Sequence, residues 1–161
     1  MSKQFITAIF LGVAAAPAFA AGDCDRWSFA RLPEEEGTAP FAFVCPVGDD
    51  HSLKLSCSAD GAFYVSYYPR QGSAQRAEGY EGRFAIDIGD DTFRRAFMLQ
   101  SMDNALVIDG QKATGPLVAA MQSGKQIAIR PEDGSADGDS FTLSGSTAAL
   151  KSLASACKAV W

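Results

Sequence analysis

The only histidine of the chain stands beside two carboxylates, in the run Asp49-Asp50-His51. An imidazole next to carboxylates could bind a metal ion or transfer protons in acid–base catalysis. The run follows Gly48 in a predicted turn beside a strand, where polar side chains are expected in any case. Sequence neighbours in a turn rarely converge on one ligand, so we interpret this run as a turn rather than as a site.

A second acidic segment, residues 133–144, partly matches a calcium-binding loop. Four residues fall at the first, third, fifth and sixth positions of an EF-hand loop: Asp133, Ser135, Asp137 and Gly138. The twelfth position holds Ser144 instead of the bidentate glutamate, and predicted strands rather than helices flank the segment. We therefore predict an acidic hairpin loop that binds no metal. The weaker alternative is a calcium loop with Asp133, Asp137 and Asp139 as ligands.

Ser144 and Ser146 flank Gly145 and could be taken for nucleophiles. The segment lacks the G-x-S-x-G elbow, and the single histidine is far away in the sequence. The end of a strand followed by a helix cap explains these serines better. We find no catalytic constellation, and we predict a protein that is not an enzyme and that needs no cofactor and no metal.

Aromatic residues are concentrated between Phe63 and Tyr68, in a segment that alternates as a strand does. If Phe63 faces the core, Tyr64 and Tyr68 face solvent. Exposed aromatic side chains in a patch are typical of surfaces that bind other proteins. Tyr64 and Tyr68 are therefore the predicted binding residues.

The first twenty residues have the pattern of a secretory signal peptide. Lys3 precedes an apolar run that is too short to span a bilayer, and small residues follow at Ala18 and Ala20. We predict cleavage near Ala20, a periplasmic or secreted location without stable membrane insertion, and one β-rich domain over residues 21–161. The net charge of −5 argues against nucleic acid as a partner.

Alternating apolar residues predict about eight strands, followed by two short helices late in the chain. Phe41, Phe43 and Cys45 are predicted to lie on one side of a strand. Residues 33–40, with two prolines and three glutamates, are predicted to form a loop. The predicted fold is mainly β, either β-sandwich-like or an α+β antiparallel sheet, with the helices over one end and disulfides stabilising it.

Four cysteines in an oxidising compartment predict two disulfides, and spacing alone allows three pairings. The facing of the side chains favours one of them. Cys57 is at an inward position of an alternating strand, and Cys157 ends the apolar stripe of the last helix. We predict that Cys57 pairs with Cys157, which leaves Cys24 to pair with Cys45.

Several short motifs between residues 52 and 161 carry a resemblance to a known family. They are Leu53-Lys-Leu-Ser-Cys57, Tyr64-Val-Ser-Tyr67, Lys125-Gln-Ile-Ala-Ile-Arg130, Phe141-Thr-Leu-Ser-Gly145 and the last segment with Cys157 and Trp161. The chain resembles the small exported accessory proteins associated with type VI secretion, of the VasI/TagO type, and its last segment is also similar to invasion-associated locus B proteins. The resemblance implies a non-enzymatic periplasmic accessory protein with a terminal helix anchored by a disulfide.

We expect a non-enzymatic periplasmic or secreted accessory protein that binds another envelope protein or a cell-wall component. The alternative is a proteinaceous inhibitor of a hydrolase such as lysozyme. The hairpin from Cys57 to Tyr68 is loosely similar to the inhibitors of C-type lysozyme.

Overall fold

The computed structural model describes residues 24–34, 37–48, 50–58, 60–70, 76–135 and 138–157. Most of them form strands, and the two helices come late in the chain. The elements are β1 (Ser28–Glu34), β2 (Gly37–Val44), β3 (Ser52–Cys57), β4 (Phe63–Tyr68), β5 (Glu81–Ile88), β6 (Asp91–Gln100), β7 (Ala105–Gln111), α1 (Pro116–Ser123), β8 (Gln126–Pro131), β9 (Asp139–Thr142) and α2 (Ser146–Ala156).

The strands form one antiparallel sheet in the order β1-β2-β3-β4-β7-β6-β5-β8-β9. Each neighbouring pair is antiparallel. The predicted mainly β fold with two late helices is therefore confirmed, and of the two predicted arrangements the structure has the single antiparallel sheet.

The sheet is strongly curled. β4 and β9 are five strands apart in the sheet order, which would separate them by about 24 Å if the sheet were flat. The ring centroids of Tyr67 on β4 and Phe141 on β9 are nevertheless only 6.3 Å apart. At the other side of the curl, the Trp27 backbone N–H donates to the carbonyl of Ser144, and its indole N–H donates to the carbonyl of Thr142. One face of the sheet is thereby turned inwards around the core.

The inner face carries the core, and α2 packs against β1, β2 and α1. The predicted apolar stripe of α2 is buried as expected, with Leu150, Leu153 and Ala154 fully covered. The predicted serine cap is wrong, because the N-cap residue of α2 is Gly145. Its φ of +81° favours glycine, and a Cβ there would lie 2.9 Å from the carbonyl oxygen of Trp27.

Two disulfides link the chain in the predicted pairing. Cys24 is bonded to Cys45, with the two Cα atoms 4.8 Å apart. Cys57, the last residue of β3, is bonded to Cys157 at the C-cap of α2, with a Cα separation of 5.9 Å. The second bond fastens the helix to the sheet, because both cysteines are packed against the core.

The predicted loop over residues 33–40 is wrong for the residues that the structure describes, because both of its prolines lie in strands. β1 extends to Glu34, and β2 begins at Gly37. The prolines are tolerated because β1 is an edge strand and because Pro40 precedes the ladder between β2 and β3, which begins at Phe41.

Phe41 and Phe43 lie on one side of β2, as the sequence predicts. Ala42 and Val44 are buried, whereas Phe41 and Phe43 contact each other on the opposite face, with ring centroids 5.4 Å apart. The physical reason is the helix, because α2 packs on β2 and small inward side chains allow its close approach.

Removal of the Cys57–Cys157 bond is expected to cost more stability than removal of the other disulfide. The sequence separations are 100 and 21 residues, which correspond to about 5 and about 3 kcal/mol in the chain-entropy model. Urea unfolding of C57A/C157A and C24A/C45A measures the two free energies of unfolding. A larger loss for C24A/C45A would contradict the anchoring role of the bond to α2.

Candidate functional site

The outer face of the sheet contains a groove with a volume of about 780 Å³. Both tyrosines predicted to bind a partner, Tyr64 and Tyr68, line it. We call it the tyrosine groove, and its other lining residues are Ala39, Pro40, Lys54, Ser56, Cys57, Ser66, Met98, Leu99, Gln100, Asp103 and Val107. They come from β2, β3, β4, β6, β7 and the turn after β6, so the groove runs across the strands.

The hairpin of β3 and β4 places the tyrosines. The turn contains Asp60 and Gly61, as predicted, and Gly61 has a φ of +81°. The register pairs Ser56 with Tyr64, and alternation then brings both tyrosines to the face opposite Phe63. The predicted facing of the two tyrosines, opposite to Phe63, is therefore correct, and both side chains are half-buried.

A bulge opposite Tyr64 shapes the middle of the groove. The pairs Phe63–Gln111 and Val65–Ile108 bracket one more residue on β7 than on β4. Gly110 lies in this bulge with a φ of +68°. Bulges bend a strand and change the direction of the side chains beside them, and this one lies directly across from a groove tyrosine.

The lining of the groove combines aromatic, apolar and charged groups. The Lys54 ammonium lies 5.3 Å from the ring centroid of Tyr68, a cation–π contact. Met98 is 53% exposed and Val107 is half-buried beside it on the neighbouring strand. Tyrosine offers a large contact area with a hydroxyl at its tip, so this surface suits the binding of a partner.

A cluster of polar side chains is buried around Asp139. The Tyr67 hydroxyl donates to Asp139 Oδ2 at 2.6 Å, and the Arg70 backbone N–H donates to the same oxygen at 3.2 Å. His51 Nε2 and Arg70 Nε lie 3.9 and 3.6 Å from Asp139 Oδ1. Burial and the neighbouring Asp139 carboxylate raise the pKa of Tyr67, so its hydroxyl remains a donor.

The position of Asp139 does not fit the calcium-loop alternative. Asp139 is not in a calcium loop but is the first residue of β9, with a side chain that is only 7% exposed. Its carboxylate is directed to Tyr67, whereas Asp133 is exposed and accepts a hydrogen bond from the Ser135 backbone. Asp137 lies outside the described residues. Among the described residues, no three acidic, histidine or cysteine side chains are grouped to hold a metal ion.

The side chains of the run Asp49-Asp50-His51, before β3, do not meet at one site either. His51 is buried against Phe141, with ring centroids 5.1 Å apart, whereas Asp50 is exposed. Asp49 lies outside the described residues. The contact between His51 and Asp139 was missed because 88 positions separate them in the sequence. The available signal was Tyr67, since a tyrosine at an inward strand position usually has a hydrogen-bond partner for its hydroxyl.

The two serines around Gly145 have structural roles. The Ser146 hydroxyl is buried and donates to the carbonyl of Met121 at 2.6 Å, which ties α2 to α1. Ser144 is exposed and lies between β9 and the N-cap of α2. His51 lies against β9 at Asp139 and Phe141.

The outer face beyond the groove carries ion pairs between β5, β6 and β8. Arg130 Nε donates to Asp87 Oδ2 at 2.9 Å, and the Thr92 hydroxyl donates to Asp87 Oδ1 at 2.7 Å. The Thr92 hydrogen bond and, after it, the Arg130 guanidinium lower the pKa of Asp87. Such surface pairs favour the sheet register and contribute little stability.

No protein-family model, curated protein or solved structure matches this chain. In the described part of the chain, no helix has both the length and the apolar character needed to cross a membrane.

Tyr67→Phe is expected to destabilise the protein by about 1–3 kcal/mol, because Asp139 loses a hydrogen bond while it stays buried. Tyr64→Phe, which removes the same atom from the outer face, is the matched control and is expected to be nearly neutral. Chemical denaturation measures both free energies of unfolding. Equal stability of the two variants would show that the buried hydrogen bond contributes nothing.

Asp87→Asn is expected to reduce stability near pH 7 by less than about 1 kcal/mol, since the pair is at the surface. A lowered carboxyl pKa contributes stability above the unfolded value of about 4, and that contribution disappears as pH falls through the folded value. The difference between the variant and the natural protein should therefore shrink as the pH falls below about 4 and vanish once Asp87 is protonated in the folded protein. Asp109→Asn, at an exposed position on β7, is the control, and a deficit that persists in acid would contradict the assignment.

Proposed function

We propose that the protein is a non-enzymatic accessory protein that binds another envelope protein or a cell-wall component through the tyrosine groove. The observation on which this proposal rests is that Tyr64 and Tyr68 line one groove on the outer face of the sheet. Hot spots of protein interfaces are enriched in tyrosine, and ligand sites are concave with few polar groups among apolar ones.

The frame around the groove supports this proposal. β3 and β4 have Leu53, Leu55 and Val65 fully buried on their inner sides, so their outer side chains stand on a packed core. Cys57, which lines the groove, is bonded to α2. Groups held in place before binding lose less conformational entropy when a partner docks, so a fixed groove favours affinity.

The proposal includes the cellular compartment in which the protein acts. Two disulfides fit an oxidising compartment, and residues 1–20 have the composition of a signal peptide with cleavage near Ala20. We propose that the protein acts in the periplasm or outside the cell. The resemblance to type VI secretion-associated accessory proteins favours a partner from a secretion system in the envelope.

Replacement of both groove tyrosines is expected to abolish partner capture. Tagged protein is crosslinked in the periplasm of the source organism, and captured proteins are identified by mass spectrometry, while purified cell-wall sacculi are tested by co-sedimentation. Y64A/Y68A should reduce recovery of the specific partner at least about tenfold, because tyrosines at the centre of an interface are hot spots. Val47→Ala, at an exposed position outside the groove, is the control.

Recovery that is unchanged in Y64A/Y68A would contradict the proposed role of the groove. C-type lysozyme activity is measured with the same variants. Inhibition by the natural protein that is lost in Y64A/Y68A would replace the accessory role by that of a hydrolase inhibitor.

A further inference from the structure

The tyrosine groove carries opposite charges on strands at its two sides. Lys54 is on β3, and Asp103 is in the turn that follows β6. Tyr68 on β4 and Val107 on β7 lie between them in the sheet order, and Met98 is on β6 beside Val107. A basic end, an aromatic and apolar middle and an acidic end therefore follow one another across the strands.

The spacing of the strands gives the groove a length. From β3 to β6 the sheet order passes through β4 and β7, which makes three inter-strand steps of about 4.8 Å, or about 14 Å in all. An extended chain advances about 3.3 Å per residue, so four or five residues cover this distance. The groove therefore has the length of a short peptide segment.

Exposed apolar side chains gather at the acidic end. Met98 is 53% exposed in the groove, and Met102, beside Asp103 in the turn after β6, is 96% exposed. Exposed methionines are adaptable contact groups for apolar side chains. A saccharide would use the two tyrosines but gain little from these thioethers, so the lining favours a polypeptide.

Both charges are available to a partner. The Lys54 ammonium is held over the Tyr68 ring, and within the described residues no ion pair involves Lys54 or Asp103. Complementary charges across an interface fix the register of the partner and exclude the wrong ones.

We propose that the tyrosine groove binds an extended segment of four or five residues from a partner protein. The segment carries an apolar or aromatic side chain at its centre, an acidic residue at the Lys54 end and a basic residue at the Asp103 end. This inference rests on the proposed binding function and specifies the partner of the same groove.

The test uses capped, fluorescently labelled pentapeptides and fluorescence anisotropy with the full mature protein. The probes are Glu-Leu-Phe-Leu-Lys, Glu-Leu-Phe-Leu-Glu, Lys-Leu-Phe-Leu-Lys and the neutral Gln-Leu-Phe-Leu-Gln. The natural protein is expected to bind the Glu/Lys peptide most tightly. Each mismatched end should weaken binding about fivefold at low salt, and the difference should shrink near 1 M salt.

Charge reversal moves the preference from one probe to another. K54E should prefer the Lys/Lys peptide, and D103K should prefer the Glu/Glu peptide, each by about fivefold. The double variant K54E/D103K should return to the Glu/Lys peptide, which can bind in the opposite chain direction. Lys151→Glu on the exposed side of α2 and Asp90→Lys in the turn after β5 are the matched controls.

Thermal unfolding verifies that the variants fold, and Lys54→Gln provides a second probe of the basic end. It should bind the Glu/Lys and Lys/Lys peptides equally. The inference would be overturned if K54E and D103K had the same peptide preference as the natural protein, or if no peptide bound at all. Binding of a chitin tetrasaccharide in place of the peptides, lost in Y64A/Y68A, would also overturn it while the proposed binding function stands. Failure of that function is seen separately, as partner recovery that does not depend on Tyr64 and Tyr68.

Discussion

The hydrogen bond from Tyr67 to Asp139 is the contact on which the shape of the molecule depends. It joins β4 to β9, which are five strands apart in the sheet order. A buried carboxylate is costly unless donors surround it, and here Tyr67 and the Arg70 backbone supply two. The inward curl brings these groups together, and Phe141 and His51 complete the contact on the same side. The hydrogen bonds to the buried Asp139 carboxylate and the packing of the apolar side chains therefore favour the same curvature of the sheet.

The curl also determines what the outer face presents. Apolar side chains are turned inwards on successive strands, so the alternate positions of β3 and β4 carry lysine, serine and tyrosine outwards. Between these positions, Leu53, Leu55 and Val65 are buried in the core and fix the backbone of both strands. The tyrosine groove is thus a product of the core: its outer side chains have fixed places because their neighbours in the strands are immobilised.

Sequence periodicity was sufficient where the structure is local. The hairpin around Asp60 and Gly61 and the outward facing of Tyr64 and Tyr68 follow from alternation. The pairing of Cys57 with Cys157 is long-range, but it also follows, because strand alternation and helical spacing direct both side chains inwards. Periodicity failed where a distant element decides. Alternation does not show which face of β2 is inward, because that depends on α2, and it does not show the role of Asp139, which depends on Tyr67, 72 residues earlier. The acidic composition of residues 133–139 resembled a calcium loop because a sequence pattern does not reveal which carboxylate is enclosed by the sheet.

The bond between Cys57 and Cys157 has a kinetic meaning. Its two cysteines are 100 residues apart, and β4 to β9, α1 and α2 all lie between them. Closing so long a loop is entropically unfavourable until native contacts have brought the ends together. The bond therefore reports that the segment from β4 to α2 has reached its native arrangement. During oxidative refolding, the appearance of this cross-link marks the time at which β3, on one side of the groove, is fixed to α2.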